Sequence, residues 1–121
     1  MPGRIVHFEL PAQDGERGKA FWSGLFGWEF KDAGMPGMTY WLTQAGGEPA
    51  GALYSYEQGA EPSPIVYFDT DDINASVAKV RELGGQADDA MPIPHVGWFA
   101  RCHDTEGNSF SLFQSDEGAA G

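Results

Sequence analysis

The feature that most constrains this chain is an internal repeat. Residues 5–9 read Ile-Val-His-Phe-Glu, and residues 65–69, sixty positions further on, read Ile-Val-Tyr-Phe-Asp. The first run alternates between apolar and more polar side chains, which is typical of a strand with one dry face. A helical pattern and several short strand patterns follow each run. Because one such unit is too small to bury a sheet alone, the repeat predicts two units that pair.

Each copy predicts a strand, a helix and three further strands. Asp14 is the candidate N-cap of the first helix, and Asp71 or Asp72 is that of the second. The predicted fold class is α+β, with two βαβββ modules paired into a cup-shaped mixed sheet and the helices on the outside. The modules cover about residues 4–56 and 64–114 of a single domain, and residues 115–121 are expected to form a flexible tail.

An aromatic stripe marks the first predicted helix. Phe21, Trp22, Leu25 and Phe26 repeat at helical spacing. This pattern predicts a helix face that packs into the core, not one that binds a ligand.

Composition narrows the classes of function. The 121 residues include 18 acidic and 7 basic side chains, which gives a net charge of −11. An acidic chain repels phosphate backbones and anionic lipids, so we expect no nucleic-acid partner and no membrane partner. The single cysteine, Cys102, excludes an internal disulfide and a zinc site built from several thiolates. These features predict a reduced, cytoplasmic protein.

Several stretches carry a family resemblance. The chain resembles the vicinal oxygen chelate superfamily, which includes glyoxalase (lactoylglutathione lyase), bleomycin-resistance proteins, extradiol dioxygenases and fosfomycin-resistance enzymes. The matching stretches are residues 7–11, 16–22, 25–28, 77–85, 97–100 and 104–110. The sequence departs from the family at Trp22, where Tyr is more common, and at Thr105, where Pro is more common. The resemblance implies a glyoxalase-like fold and a homodimer, but no single reaction.

The resemblance also implies where a metal ion would be held. Metal-using members place ligands at four positions facing the cup, and His7 falls on the first of them. The second position maps to Ile65, the third lies near Gly51 or Ala52, and the fourth maps to Ser111. Since a divalent ion needs about three or four protein ligands, we expect no metal in the standard position.

His7 and Glu9 are the candidate catalytic residues. They lie two apart on one strand, so both point to the same face, about 6.5 Å apart. One interpretation is a divalent metal at a non-standard site, with Asp69 as a third ligand. Another is a general base formed by the imidazole and its neighbouring carboxylate. A third is structural: His7 only forms a hydrogen bond across the cup, and Glu9 and Asp69 are solvated residues near strand ends that cap loops.

The remaining candidate residues would bind a ligand. Tyr67, Ser111 and Phe113 share the inward parity of their strands. The candidate aromatic walls for a planar molecule are Trp41, Tyr40, Tyr54, Tyr56 and Trp98. The first hypothesis is a binder of a small, aromatic or antibiotic-like molecule. The second is a lyase, isomerase or dioxygenase-like enzyme that uses His7 and Glu9, and the third is a subunit that serves as an interaction module.

Overall fold

The chain forms two compact units. A computed structural model describes residues 3–34, 39–43, 50–56 and 63–119. The first unit consists of residues 7–64, and the second of residues 1–6 together with 65–121. The modules predicted from the sequence began at about residue 4, whereas the observed division groups the residues before His7 with the second unit.

The order of elements follows the repeat. The helices and strands, in chain order, are β1 (Ile5–Pro11), α1 (Gly15–Phe26), β2 (Lys31–Asp32), β3 (Tyr40–Thr43), β4 (Ala50–Tyr54), β5 (Ile65–Asp69), α2 (Ile73–Glu82), β6 (Gln86–Ala87), β7 (Met91–Ile93), β8 (Gly97–His103) and β9 (Ser109–Ser115). Each copy therefore begins with a strand and a helix, as the repeat predicted. Within the described residues, neither helix is long and apolar enough to cross a membrane.

The sheet of the first unit has the strand order β2-β3-β4-β1. Strand β1 runs parallel to β4, with His7 opposite Ala50 and Glu9 opposite Ala52. Strand β3 runs antiparallel to β4, with Tyr40 opposite Tyr54. Because partners in register point to the same side of a sheet, these side chains share one surface, which we call the His7 face. It carries His7, Glu9, Tyr40, Leu42, Ala50, Ala52 and Tyr54.

The opposite face of this sheet lies against α1. The Trp41 ring lies beside Gly15, and a Cβ built on Gly18 would contact Leu53. Gly51 on this face has no room for a side chain, because a Cβ there would overlap the Phe8 ring.

Helix α1 has the predicted ends but not the predicted burial. The Asp14 side chain accepts a hydrogen bond from the Arg17 N–H at 3.1 Å, and Gly27 ends the helix at a φ of 73°. The prediction that the aromatic stripe packs into the core is wrong: α1 has no buried residue, and Phe21, Leu25 and Phe26 are each more than half exposed. The rings instead pack on one another, since Trp22 lies within 6.1 Å of the ring centroids of Phe21 and Phe26.

The sheet of the second unit has the order β5-β9-β8-β6, with β7 also paired to β8. Helix α2 covers one face of it, and its N-cap is Asp72, whose side chain accepts a hydrogen bond from the Ala75 N–H. That contact assigns the second N-cap to Asp72. The core between this helix and the sheet consists of Ile73, Val77, Ala100, Cys102 and Leu112.

The described part of the tail returns to the rest of the second unit. The Asp116 N–H donates to the Val96 carbonyl, and the His95 N–H donates to the carbonyl of Ala119, which is buried. His95 adopts a positive φ of 65° in this turn. Residues 120 and 121 lie outside the described residues, and flexibility of the tail stays a prediction.

Candidate functional site

The His7 face carries a row of hydrogen bonds that links both predicted catalytic residues, and we call His7, Tyr40 and Glu9 with their hydrogen bonds the proton row. The Tyr40 hydroxyl donates to Glu9 Oε2 at 2.5 Å and lies 2.9 Å from His7 Nε2. Tyr40 stands on β3, and the other two residues stand on β1, with β4 between them. The β4 residues on this face beside β1 are Ala50 and Ala52, whose small side chains leave room for the Tyr40 ring to reach across.

Glu9 is a buried carboxylate with 5% of its surface exposed. A buried charge is costly unless hydrogen bonds compensate it, and a phenol donating to a carboxylate forms one of the stronger hydrogen bonds in proteins. The interpretation of Glu9 as a solvated strand-end residue is therefore wrong. Asp69, the counterpart of Glu9 in the repeat, is only partly buried. The backbone N–H of Arg4 donates to Asp69 Oδ1 at 2.9 Å, and the Arg4 guanidinium lies 3.7 Å from Asp69 Oδ2.

His7 favours its neutral form. Burial lowers the pKa of His7 below its ordinary value of 6.5, and the nearby Glu9 charge and a hydrogen bond to the Ala50 backbone oppose that shift without overcoming it. At neutral pH the imidazole is therefore a base that can accept a proton.

The row has fewer protons than hydrogen-bond contacts. Three contacts run from the Ala50 backbone through the His7 ring and Tyr40 to Glu9. A neutral imidazole and a phenol bring two protons to these contacts, whereas an imidazolium and a phenol bring three. Because the Tyr40 hydroxyl donates to Glu9, the contact between His7 Nε2 and Tyr40 holds a proton only when Nε2 is protonated or when that hydroxyl turns toward His7.

The described residues offer few ligand atoms at the positions where the resemblance implies a divalent ion, and the absence of a metal there stays a prediction. No group of three or more His, Cys, Asp or Glu side chains among them lies close enough to hold a metal. Ile65, at the second position that the resemblance implies, has a hydrocarbon side chain, and neither candidate for the third position, Gly51 or Ala52, has a side-chain ligand atom. The Tyr40 hydroxyl contacts both His7 and Glu9, so an ion held by both of them would have to displace it.

The aromatic residues predicted to form walls fall on two different faces. Tyr54 lies on the His7 face, and its hydroxyl donates to the Ser63 carbonyl at 3.1 Å. Trp41 lies on the α1 side, with Lys19 Nζ 4.7 Å from its ring centroid. Tyr40, expected only as a wall, is the residue that joins the catalytic pair. Because Tyr40 and Trp41 are adjacent and both aromatic, the sequence does not show which of the two rings lies on the His7 face. The register of Tyr40 with Tyr54 assigns the Tyr40 ring to that face.

In the second unit, Tyr67, Ser111 and Phe113 share one face, as their parity predicted. Tyr67 is in register with Ser111, and Phe113 with Asp69. Ser111 is fully buried, and its Oγ has no hydrogen-bond partner among the described residues. Trp98 instead packs against the core under α2, and its Nε1–H donates to Asp116 at 3.0 Å. Ligand binding by these four residues stays a prediction.

Comparisons with known proteins place the chain in a family. Residues 4–43 match the family model described as bleomycin resistance protein-like N-terminal. The chain is 32% identical over 120 residues to a glyoxylase-like domain-containing protein of Didymella fabae, covering 93% of this chain and 94% of that protein. The chain therefore belongs to the glyoxalase-like proteins of the vicinal oxygen chelate superfamily.

A second relative is longer than this chain. The protein named "Putative glyoxylase CFP32" of Mycobacterium tuberculosis (strain CDC 1551 / Oshkosh) is 32% identical over 117 residues, which cover 89% of this chain. The match spans only 44% of that protein's length.

Solved structures share the fold at low identity. A hypothetical protein of Bacillus halodurans C-125 superimposes with a TM-score of 0.74 at 14% identity, covering 98% of this chain and 99% of that one. Methylmalonyl-CoA epimerase of Mycobacterium tuberculosis gives a TM-score of 0.68 at 14% identity, covering 94% and 88%. These likenesses confirm the predicted glyoxalase-like α+β fold and carry nothing further.

Proposed function

We propose that the His7 face of the first unit binds a small organic molecule and exchanges a proton with it, as an isomerase or lyase does. The observation that carries this proposal is the hydrogen-bonded row from His7 through Tyr40 to the buried Glu9. Such a row combines a base with a hydroxyl that a buried charge holds in place.

Tyr40 is the group that meets the ligand in this proposal. The His7 ring is engaged by the Ala50 backbone and by Tyr40, so its route to a ligand passes through the Tyr40 oxygen. When the Tyr40 O–H turns from Glu9 to His7 Nε2, the imidazole takes that proton and the Tyr40 oxygen takes one from the substrate C–H. The products are a neutral Tyr40, an imidazolium and a substrate carbanion, and the Glu9 carboxylate balances the charge that His7 gains. Positioned proton transfer of this kind contributes roughly 100-fold to 10,000-fold to a rate.

The substrate class follows from the strength of the base. A neutral imidazole removes a proton most readily from a carbon next to a carbonyl or thioester, where the resulting negative charge is delocalised. A protein of the same fold is named methylmalonyl-CoA epimerase, which is in keeping with a small carbonyl compound as substrate. The shared fold supports the substrate class only by analogy, whereas the hydrogen bonds among His7, Tyr40 and Glu9 support proton transfer directly.

A second candidate is binding without turnover, of a small, aromatic or antibiotic-like molecule. The match of residues 4–43 to a bleomycin resistance protein-like model favours it. Both candidates need a small-molecule ligand and no divalent metal at the standard positions. Homodimer formation and a cytoplasmic location are further proposals, and light scattering tests the first of them.

Deuterium exchange tests the proton-transfer proposal without knowledge of the product. A panel of carboxylic acids, ketones and thioesters with an acidic C–H is incubated with the protein in D2O, and deuterium incorporation is followed by NMR. We expect exchange in at least one compound, with a loss of at least 100-fold in Tyr40→Phe and in His7→Gln. Ser55→Ala, which removes a hydrogen bond from the Thr39 N–H in the same unit but outside the row, should retain exchange.

Two outcomes separate the candidates. Exchange that persists in both Tyr40→Phe and His7→Gln would show that the row does not move the proton. Saturable binding that shifts the NMR signals of Tyr40 and His7, with no exchange in any compound, would favour the binder instead.

A further inference from the structure

A second candidate site lies in the first unit, away from the proton row. A cavity of about 1120 Å³ is located between the end of α1 and strands β2 and β3. Its described lining residues are Lys19, Ser23, Phe26, Gly27, Trp28, Glu29, Phe30, Lys31, Leu42 and Thr43. His7, Glu9 and Tyr40 are not among them, and Leu42 is the one described lining residue that belongs to the His7 face.

Aromatic rings form one wall of this cavity. The Trp28 ring stacks on Trp22 at a centroid distance of 5.1 Å and an interplanar angle of 12°, and Phe26 and Phe30 lie within 6.4 Å of it. The Ser23 hydroxyl donates to the Trp28 carbonyl at 2.7 Å, which fixes the backbone that carries this ring. Phe26 is 60% exposed and therefore offers apolar surface to a ligand.

The charge of the lining is opposite to that of the chain. The cavity holds Lys19 and Lys31, two of the chain's three lysines, and one carboxylate, Glu29. Glu16 lies 3.7 Å from the Lys19 ammonium, but it belongs to an exposed pair of the kind that contributes little. The described lining therefore carries two ammonium groups and one carboxylate on a molecule of net charge −11, and Glu16 beside the lining offsets part of the positive charge.

We propose that this cavity binds a planar aromatic anion, such as an aryl carboxylate or aryl sulfonate. The rings of Trp28 and Phe26 stack on the aromatic part of the ligand, and Lys19 and Lys31 attract its anionic group. A second copy of the chain is the competing occupant, because the neighbouring face of α1 is apolar and exposed. Three of the described lining residues are Lys or Glu, namely Lys19, Glu29 and Lys31. Since protein interfaces are depleted in these residue types, a small anion is a better match than a second copy.

Tryptophan labelling makes this proposal measurable. With 5-fluorotryptophan incorporated at all four tryptophans, 19F NMR follows titration with 2-naphthoate and, separately, with neutral 2-naphthamide. We expect 2-naphthoate to shift the resonances of Trp28 and Trp22 and to leave that of Trp98 unchanged. Lys19→Met and Lys31→Met should each weaken 2-naphthoate binding at least five-fold and leave 2-naphthamide binding unchanged.

Lys79→Met is the matched control variant. Lys79 forms an exposed pair with Glu82 at 3.7 Å and three residues' spacing, as Lys19 does with Glu16, but it lies on α2 in the second unit. The proposal is overturned if Lys79→Met weakens binding as much as the cavity variants do, or if both naphthalene compounds bind equally tightly. A third outcome also overturns it: light scattering shows a dimer, dimer formation shifts the Trp28 resonance, and 2-naphthoate does not shift that resonance.

Discussion

The substitution Tyr40→Phe tests the energetic basis of the proton row. It removes only the hydroxyl, so the ring that crosses β4 keeps its packing. The substitution removes the hydrogen bond to the charged acceptor Glu9 and the contact with His7 Nε2. Glu9 is 5% exposed and gains little from water in exchange. Hydrogen bonds to charged groups contribute about 1.5–3 kcal/mol, and we expect a loss of about 2–3 kcal/mol in the free energy of unfolding.

Tyr54→Phe is the matched control for this effect. The Tyr54 hydroxyl donates to the neutral Ser63 carbonyl from the same face, and such bonds contribute about 0.5–1.5 kcal/mol. Urea titration, followed by tryptophan fluorescence, should therefore give a midpoint shift for Tyr40→Phe about twice that for Tyr54→Phe, with unchanged slopes.

A double-mutant cycle identifies the source of the loss. In a Glu9→Gln background the acceptor is uncharged, so Tyr40→Phe should cost about 1 kcal/mol less than in the natural chain. The reasoning is refuted if the cost is the same in both backgrounds, or if the Tyr40 and Tyr54 variants lose equal stability.

Three further outcomes follow from single positions, each measurable by urea titration or thiol labelling. Because the pKa of His7 is lowered on folding, the free energy of unfolding should fall as the pH drops from 6.5 through the folded-state pKa. His7→Gln should abolish this pH dependence, and an unchanged dependence in that variant would contradict the reasoning. Gly51→Ala should lose about 3 kcal/mol because its methyl group meets the Phe8 ring, whereas Gly24→Ala, in open space on α1, should gain about 0.5–1 kcal/mol; equal effects would refute the packing argument. Burial and the neighbouring Asp88 raise the pKa of Cys102 to about 11, so the thiol should resist alkylation at pH 8 until urea unfolds the chain, and rapid native labelling would be inconsistent with this.

The sequence was sufficient to predict the elements that local chemistry determines. The alternation in residues 5–9 placed His7 and Glu9 on one face, and the Asp14 side chain caps its helix as expected. The repeat predicted both helices and the α+β class, because it records two copies of one folding pattern.

The sequence was insufficient wherever a neighbouring element decides the outcome. Tyr40 and Trp41 are adjacent and both aromatic, so nothing in β3 itself shows which ring shares a face with His7; the pairing with β4 decides it. The stripe on α1 correctly showed which side chains share a helix face. It carried no information on what covers that face, and Phe21 and Phe26 remain exposed.

Stability and proton chemistry depend on the same burial in the first unit. Burial keeps His7 neutral, and burial also makes Glu9 depend on the Tyr40 hydroxyl. A substitution that breaks the row should therefore lower stability and abolish deuterium exchange together, whereas Ser55→Ala, outside the row, should leave exchange unchanged. If Tyr40→Phe lost stability but kept exchange, the row would be a structural feature of the sheet, and the site of proton transfer would have to be sought elsewhere in the chain.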